Sequence, residues 1–340
     1  ERIVKDDKFY YLDFSNAFTV NFGGVRTFLR MHKNGLKFAI RNAPEEIVDV
    51  FESTGASKFV SITRKPQEYL GNIVEAGEGY TAVTFNSDDN DSLFKLYNSF
   101  IDPKSVEKER AVAKNVFLMG VPTPMVGDIY QTDGKYGITF EVIKNKKSIA
   151  RLIADDPSKI EEYAILFAKM CKELHSIDCD KSLFPNIKDI YAHEVEKSPF
   201  TDEEKAKMMS AINALPDKGK CVHGDLHIGN VIVDDKGDAL FIDLQDFAYG
   251  DPLLDIGTFW YVTNATSEDM AMHMFHTDRA NLAKFWNIFV KEYFNVSTNE
   301  EVLEKTNMIK KYAAIKVIFF GNLNCYHEGM KELIKEQLLA

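Results

Sequence analysis

The chain has 340 residues, 45% of them hydrophobic and 27% charged. That composition belongs to a globular protein and excludes the disordered, collagen-like and disulfide-stapled classes. Lys and Arg total 41 against 52 Asp and Glu, a net charge of -11, which argues against a nucleic-acid or anionic-membrane partner. Cys171, Cys179, Cys221 and Cys325 include no CxxC pair, and four cysteines scattered over this length suit a reducing compartment. No run approaches the roughly 18 apolar residues of a membrane span, and no basic-then-apolar leader follows Glu1-Arg2. The expectation is a cytoplasmic protein of about two domains.

Residues 1–66 read as a small α/β unit. Lys8–Phe14 is extended, and Gly23-Gly24 leads a helix with Val25, Phe28 and Leu29 on one face, stopped at Asn34-Gly35. Leu36–Ile40 alternates as a strand, Pro44 opens a second helix closed by Gly55, and Phe59–Ile62 is a further strand. The run from Gly23 to Ile62, with Ser53-Thr54-Gly55 before its last strand, resembles the second half of the STAS (anti-sigma-factor-antagonist) domain. Two departures stand out: the opening strands are short, and Val20-Asn21-Phe22-Gly23 occupies the loop of the phosphorylatable Ser. The segment reads first as a packed accessory domain; the resemblance implies, as the alternative, a signalling module for a protein partner or self-association.

Residues 67–143 read as a β-rich lobe with one helix. Strand-like runs cover Tyr69–Ala76, Tyr80–Asn86 and Ser92–Tyr97, with Gly77-Glu78-Gly79 in the first hairpin. Glycines there let backbone N–H groups approach a phosphate, or simply make a turn. Lys95 lies mid-strand, either solvated or aimed at an anion. The following helix carries Glu107 and Glu109 and stops at Gly120, ahead of Pro122 and Pro124. Pro124–Ile143 is a second hairpin.

The densest signal is His223-Gly224-Asp225-Leu226-His227-Ile228-Gly229-Asn230, then Phe241-Ile242-Asp243, then Gly250-Asp251-Pro252-Leu253-Leu254-Asp255. Two short strands, Val231–Val233 and Ala239–Ile242, place Asp225 and Asn230 before a hairpin and Asp243 just after it. Phosphoryl transfer needs such a set: a carboxylate to accept the hydroxyl proton, and an amide oxygen with a second carboxylate for Mg²⁺. The HxDLxxxN spacing is the kinase catalytic-loop pattern with Gly in place of Arg.

These motifs resemble the aminoglycoside phosphotransferase and choline kinase family over residues 68–340. The implied fold is α+β: a bilobal, protein-kinase-like fold with a β-rich N-lobe (67–143) and a helical C-lobe (144–340), preceded by the STAS-like module. The resemblance implies ATP and Mg²⁺ as cofactors and a small-molecule hydroxyl as acceptor. Asp225 matches the catalytic base, and Asn230 and Asp243 the Mg²⁺ ligands. Lys95 matches the lysine on the α- and β-phosphates and Glu109 its helix partner, with Glu107 the fallback. Gly77 and Gly79 would cover the phosphates, Glu141 and Val142 would meet adenine through their backbones, and Asp255 would brace the catalytic loop.

Other positions stay open. His223 reads as scaffold rather than acid–base group, and His175 as structural; His227 is a substrate or phosphate contact or neither. Asp246 lines the acceptor pocket or caps the next segment. Trp260 and Tyr326, among the aromatics after Gly257, are acceptor walls able to hold a quaternary ammonium, or plain core. The acidic Asp246, Asp251, Glu268, Asp269 and Glu328 suit an aminated acceptor or form a solvated face. No Cys/His set has the closed spacing of a zinc site. Two alternatives accompany the small-molecule kinase. One is a regulatory ATP-binding protein with a STAS-like module. The other is a protein kinase, opposed by the missing Ala-Pro-Glu and by the early Gly250-Asp251-Pro252.

Overall fold

The computed structural model describes residues 9–68, 73–78, 82–87, 92–132, 134–321 and 328–339. They form two compact units, one of residues 1–88, 94–103 and 128–139 and one of residues 89–93, 104–127 and 140–340.

The first unit begins with β1 (Phe9–Asp13), α1 (Phe22–Lys33), β2 (Lys37–Ala43), α2 (Glu45–Ser53) and β3 (Ser61–Arg64). The strands lie in the parallel order β1-β2-β3, so each connection must cross over, and the two helices supply the crossovers. The Asn21 side chain accepts the Gly24 N–H at 2.9 Å and caps α1. Gly35 and Gly55, at φ of 85° and 70°, turn the chain after α1 and α2. Val25, Phe38, Ile40, Ile47, Val48 and Phe51 build a core confined to this segment. That is the α/β layer the sequence predicts.

The same unit carries a six-stranded sheet in the order β4-β8-β9-β7-β6-β5. Its strands are β4 (Gln67–Glu68), β5 (Ile73–Glu78), β6 (Ala82–Ser87), β7 (Ser92–Tyr97), β8 (Val126–Thr132) and β9 (Lys135–Glu141). The β5–β6 hairpin is antiparallel, and its register shifts between Glu75 and Gly77. Gly77 therefore lies in the strand at a bulge rather than in the turn, a usual place for a strand glycine. Gly79 falls outside the described residues.

α3 (Pro103–Leu118) falls, from Lys104 onward, in the second unit. Val112 and Val116 on its inner face join that unit's large core, and apolar burial decides where a helix settles.

The second unit continues with β10 (Lys147–Ser148), α4 (Ile149–Asp155), α5 (Ile160–Ser176), α6 (Ile187–Lys197) and α7 (Asp202–Asn213). Four short strands follow: β11 (Lys220–Val222), β12 (Val231–Val233), β13 (Ala239–Phe241) and β14 (Ala248–Gly250). After them come α8 (Leu253–Trp260), α9 (Glu268–Phe275), α10 (Arg279–Phe294), α11 (Asn299–Phe320) and α12 (Glu328–Ile334).

An aromatic cluster locks three of these helices together. Phe167 of α5 lies 4.8 Å from Phe259 of α8, and Phe259 lies 4.8 Å from Phe289 of α10, ring centre to ring centre. Phe285, Trp286 and Phe289 are essentially unexposed, so these three aromatics are core rather than acceptor wall. α8 and α11 pack more closely still. A Cβ on Gly257 would lie 2.6 Å from the Ala313 N and the Tyr312 carbonyl carbon, so only glycine permits this approach. Among the described residues no helix is long and apolar enough to cross a membrane.

Candidate active site

Two antiparallel pairs frame the loop from His223 to Asn230. β11 pairs with β14, and β12 pairs with β13 in the register Val231↔Phe241. Beyond that pair the Ile242 N–H reaches the Asn230 carbonyl at 3.0 Å. The hairpin thus brings Asn230 beside Ile242 and sets Asp243 next in line, as the sequence spacing predicts. Asp243 takes a left-handed backbone, φ 60°, a conformation Asp tolerates better than most side chains. It is exposed, whereas Asn230 is buried.

The loop is held from beneath by one carboxylate. Asp255, 1% exposed in the first turn of α8, accepts the His223 N–H at 2.6 Å and the Gly224 N–H at 2.9 Å. Its Oδ2 also accepts from His175 Nε2 of α5 at 3.1 Å, and His175 Nδ1 takes the Tyr293 hydroxyl of α10 at 2.8 Å. One buried chain of hydrogen bonds therefore ties α10, α5 and α8 to the loop backbone. A buried carboxylate is stable only when donors satisfy it, and here three do.

Gly224 has φ 86°, and a Cβ there would meet the Asp246 carbonyl oxygen at 2.2 Å. The glycine is required on both grounds. His223 is fully buried. Its Nε2 lies 3.1 Å from the Ile242 carbonyl and its Nδ1 accepts the Asp225 N–H at 3.3 Å. Burial depresses its basicity, against an upward pull from Asp255 and Asp225, and the neutral ring ties the loop to the strand end.

Asp225 is bracketed. Its Oδ2 receives Asn230 Nδ2 at 3.4 Å and lies 3.6 Å from His227 Nε2, while its Oδ1 lies 3.7 Å from Lys316 Nζ. Burial alone would raise the carboxyl's pKa, but Lys316, His227 and His223 outweigh it and hold the group well below the usual carboxylate range. The residue is an ionised hydrogen-bond acceptor at neutral pH. Asn230 Nδ2 is also donated to the Asp225 carbonyl at 2.9 Å, which leaves the amide oxygen for a cation. Asn230 and Asp243 together offer hard oxygen donors, a set that suits Mg²⁺ completed by phosphate oxygens and water.

The remaining predicted residues fall as follows. His227 stands on Phe275 with ring centres 5.5 Å apart and accepts the Gly229 N–H at 3.0 Å. Asp246 is half-buried, and burial raises its pKa despite the counter-pull of Lys316. Trp260 ends α8 with its indole N–H buried and making no hydrogen bond. Lys95 lies in β7 with its Nζ 5.4 Å from the Tyr97 ring centre, and Glu109 is buried on α3. Glu141 ends β9, its N–H given to the Met125 carbonyl at 2.8 Å and its Oε2 taking the Met125 N–H at 3.1 Å; Val142 follows it. Tyr326 lies outside the described residues.

Asp251 corrects the solvated-face reading. It is 1% exposed, pairs with Lys218 at 3.0 Å and takes the Tyr312 hydroxyl at 3.4 Å. Lys316 is the residue that sequence reading passes over. It projects from α11 onto the loop, donating to the Gly224 carbonyl at 2.6 Å. Its one sequence signal is a lone charge inside Ala313-Ala314-Ile315-Lys316-Val317-Ile318.

An ionised acceptor carboxylate on a clamped loop, followed in the chain by two residues with hard oxygen donors, is an arrangement that phosphoryl transfer can use. Comparison with known proteins gives the family. Residues 72–285 match the phosphotransferase enzyme family (APH), well over half of the chain. The chain belongs to that family and is a small-molecule kinase. No curated protein matches it. Among solved structures, the gentamicin complex of APH(2'')-IIa is similar at 18% identity, covering 86% of this chain and 96% of that one, TM-score 0.50. An aminoglycoside phosphotransferase, APH(3'')-Id of Streptomyces rimosus, is 18% identical over 71% and 92% of the two chains, TM-score 0.45. An ethanolamine kinase of Plasmodium vivax is 13% identical over 78% and 80%, TM-score 0.47. At such identities the likeness is one of fold.

Proposed function

We propose that the protein transfers the γ-phosphoryl group of ATP, with Mg²⁺, to a hydroxyl of a small molecule. The observation that carries the reading is the Asp225 carboxylate, kept ionised and bracketed on both oxygens by Asn230, His227 and Lys316. Asp225 orients the acceptor hydroxyl and takes its proton as the new P–O bond forms and the bond to the ADP oxygen breaks. A carboxylate of such low basicity is a weak base, so its main contribution is orientation, which suits a loose transition state. Asn230 and Asp243 would hold Mg²⁺, which neutralises charge on the phosphates when bound. Lys95 would grip the α- and β-phosphates. Adenine would be met at Glu141 and Val142, with the Glu141 contact left to its carbonyl, since its N–H is spent on Met125. The first 66 residues are read as a STAS-like module, a reading supported by the parallel β1-β2-β3 order and the separate core.

The test is ADP release from Mg²⁺·ATP across a panel of amino sugars, neutral sugars, choline-like alcohols and amino alcohols, gentamicin, streptomycin and ethanolamine included. A compound that stimulates release in the wild type names the acceptor class. Asp225→Asn is expected to lower kcat by about 10²-fold or more while ADP affinity stays within a few fold. Undiminished turnover by the Asn variant would remove Asp225 from the mechanism.

A further inference from the structure

We propose that Lys316 is a positioning residue for phosphoryl transfer, its ammonium fixing the Gly224–Asp225 segment and the Asp225 carboxylate in the orientation that meets the acceptor. The inference rests on the reading of Asp225 given above.

Lysine is almost never fully buried unless its charge is paired. Lys316 is 2% exposed, and its neighbours Ile315, Val317 and Ile318 are buried aliphatics. If this position only filled space, an aliphatic side chain would serve. Instead the ammonium donates to the Gly224 carbonyl at 2.6 Å and faces Asp225 Oδ1 at 3.7 Å. The rings of Phe319 and Phe320 lie 4.6 and 4.9 Å from the same nitrogen, centre to charge. Aromatic faces attract a cation while keeping water from it.

The arrangement is a two-sided clamp on one residue. The N–H of Gly224 is held by the carboxylate of Asp255 from α8, and its carbonyl by the ammonium of Lys316 from α11. The two helices are held in register by the close approach at Gly257, which lies two residues after Asp255 and faces Tyr312 and Ala313, about one turn before Lys316. The same packing therefore delivers both charges. With Oδ1 turned to Lys316, Oδ2 lies on the His227 and Asn230 side, which sets the rotation of the carboxylate plane. Without the ammonium, neither the Gly224 carbonyl nor that rotation has a fixed partner on the α11 side.

Lys316→Met keeps the stem and removes the charge, and Lys316→Arg keeps the charge. Turnover is read as ADP release from Mg²⁺·ATP, with water and with the panel alcohols as acceptors. The Met protein is expected to lose about 10²-fold in kcat, the scale of a small misplacement, with KM for ATP changed less than about threefold. The Arg protein should recover at least tenfold of that loss, and ethylammonium should restore part of the kcat of Lys316→Ala. If the Met protein does not fold, Lys316→Gln takes its place, since it still donates to the Gly224 carbonyl and carries no charge. Wild-type kcat in the Met or Gln protein overturns the proposal, as do Arg and Met proteins equally impaired without amine rescue. Asp225→Asn, run alongside, separates the two readings. Loss there without loss at Lys316 defeats only the role of Lys316, and no loss in either defeats the reading of Asp225.

Discussion

Replacing Asp255 by alanine tests how the loop from His223 to Asn230 is built. The carboxylate is 1% exposed and accepts from three donors, the N–H groups of His223 and Gly224 and the His175 imidazole. In Asp255→Ala all three stay buried with no acceptor. Each buried unsatisfied donor costs about 1–3 kcal/mol, so the three together would cost at most about 9 kcal/mol. The variant no longer buries a charge and the loop can relax, so the expected loss is the about 3–5 kcal/mol typical of breaking a buried charged interaction. At about 2–4 °C per kcal/mol for a unit of this size, the melting temperature should fall on the order of 10 °C. Thermal unfolding followed by circular dichroism reads the shift, and ADP release below the transition reads the loop. Asp255→Asn, which keeps one acceptor oxygen, should fall between Ala and wild type. An alanine variant melting within about 2 °C of wild type would refute the reasoning, because no buried donor could then have depended on this carboxylate.

Two further outcomes follow from packing and protonation. Gly257→Ala places a Cβ 2.6 Å from the α11 backbone, and parting the two helices should cost about 1–3 kcal/mol, read as a lowered melting temperature. Because α11 carries Lys316, kcat should fall at temperatures where the variant is still folded; a variant with unchanged melting and kcat would contradict the close packing. His223 gives a pH dependence. Burial holds its pKa below the ordinary 6.5, with Asp255 and Asp225 pulling the other way. The unfolded chain therefore binds a proton at higher pH than the fold does. This contribution to stability is complete above about pH 6.5 and is lost as the pH falls below it. Melting temperatures at pH 7.5 and 5.5 should differ more in the wild type than in His223→Gln, and the opposite order would show that the buried ring is charged.

Much of the candidate site is local in sequence and was legible there. The His223–Asn230 spacing, the hairpin between Asn230 and Asp243, and the Asp255 that follows lie within 33 residues. A short turn between two apolar runs dictates that pairing almost by itself. The α/β order of the first 66 residues was legible for the same reason, because glycine and proline mark the ends of each element. Other features depended on contacts the spacing does not encode. α3 takes its place through Val112 and Val116, which join the larger core.

The aromatics after Gly257 read as core or as acceptor wall, core being the commoner role of aromatics at helical spacing. The structure made Phe285, Trp286 and Phe289 core, tied Tyr293 to His175, and set Phe319 and Phe320 around an ammonium. Asp251 looked like part of a solvated acidic face and is buried against Lys218 and Tyr312. By itself, then, the sequence determined which residues are proposed to carry the chemistry and the hairpin between them. Only the tertiary structure decided what holds them in place. Asp255 reaches back 32 positions to the N–H of His223 and 31 to that of Gly224, and Lys316 reaches 92 to the Gly224 carbonyl. Helical periodicity says which face of α11 is apolar, but which loop that face meets is set by the packing of α8 against it at Gly257.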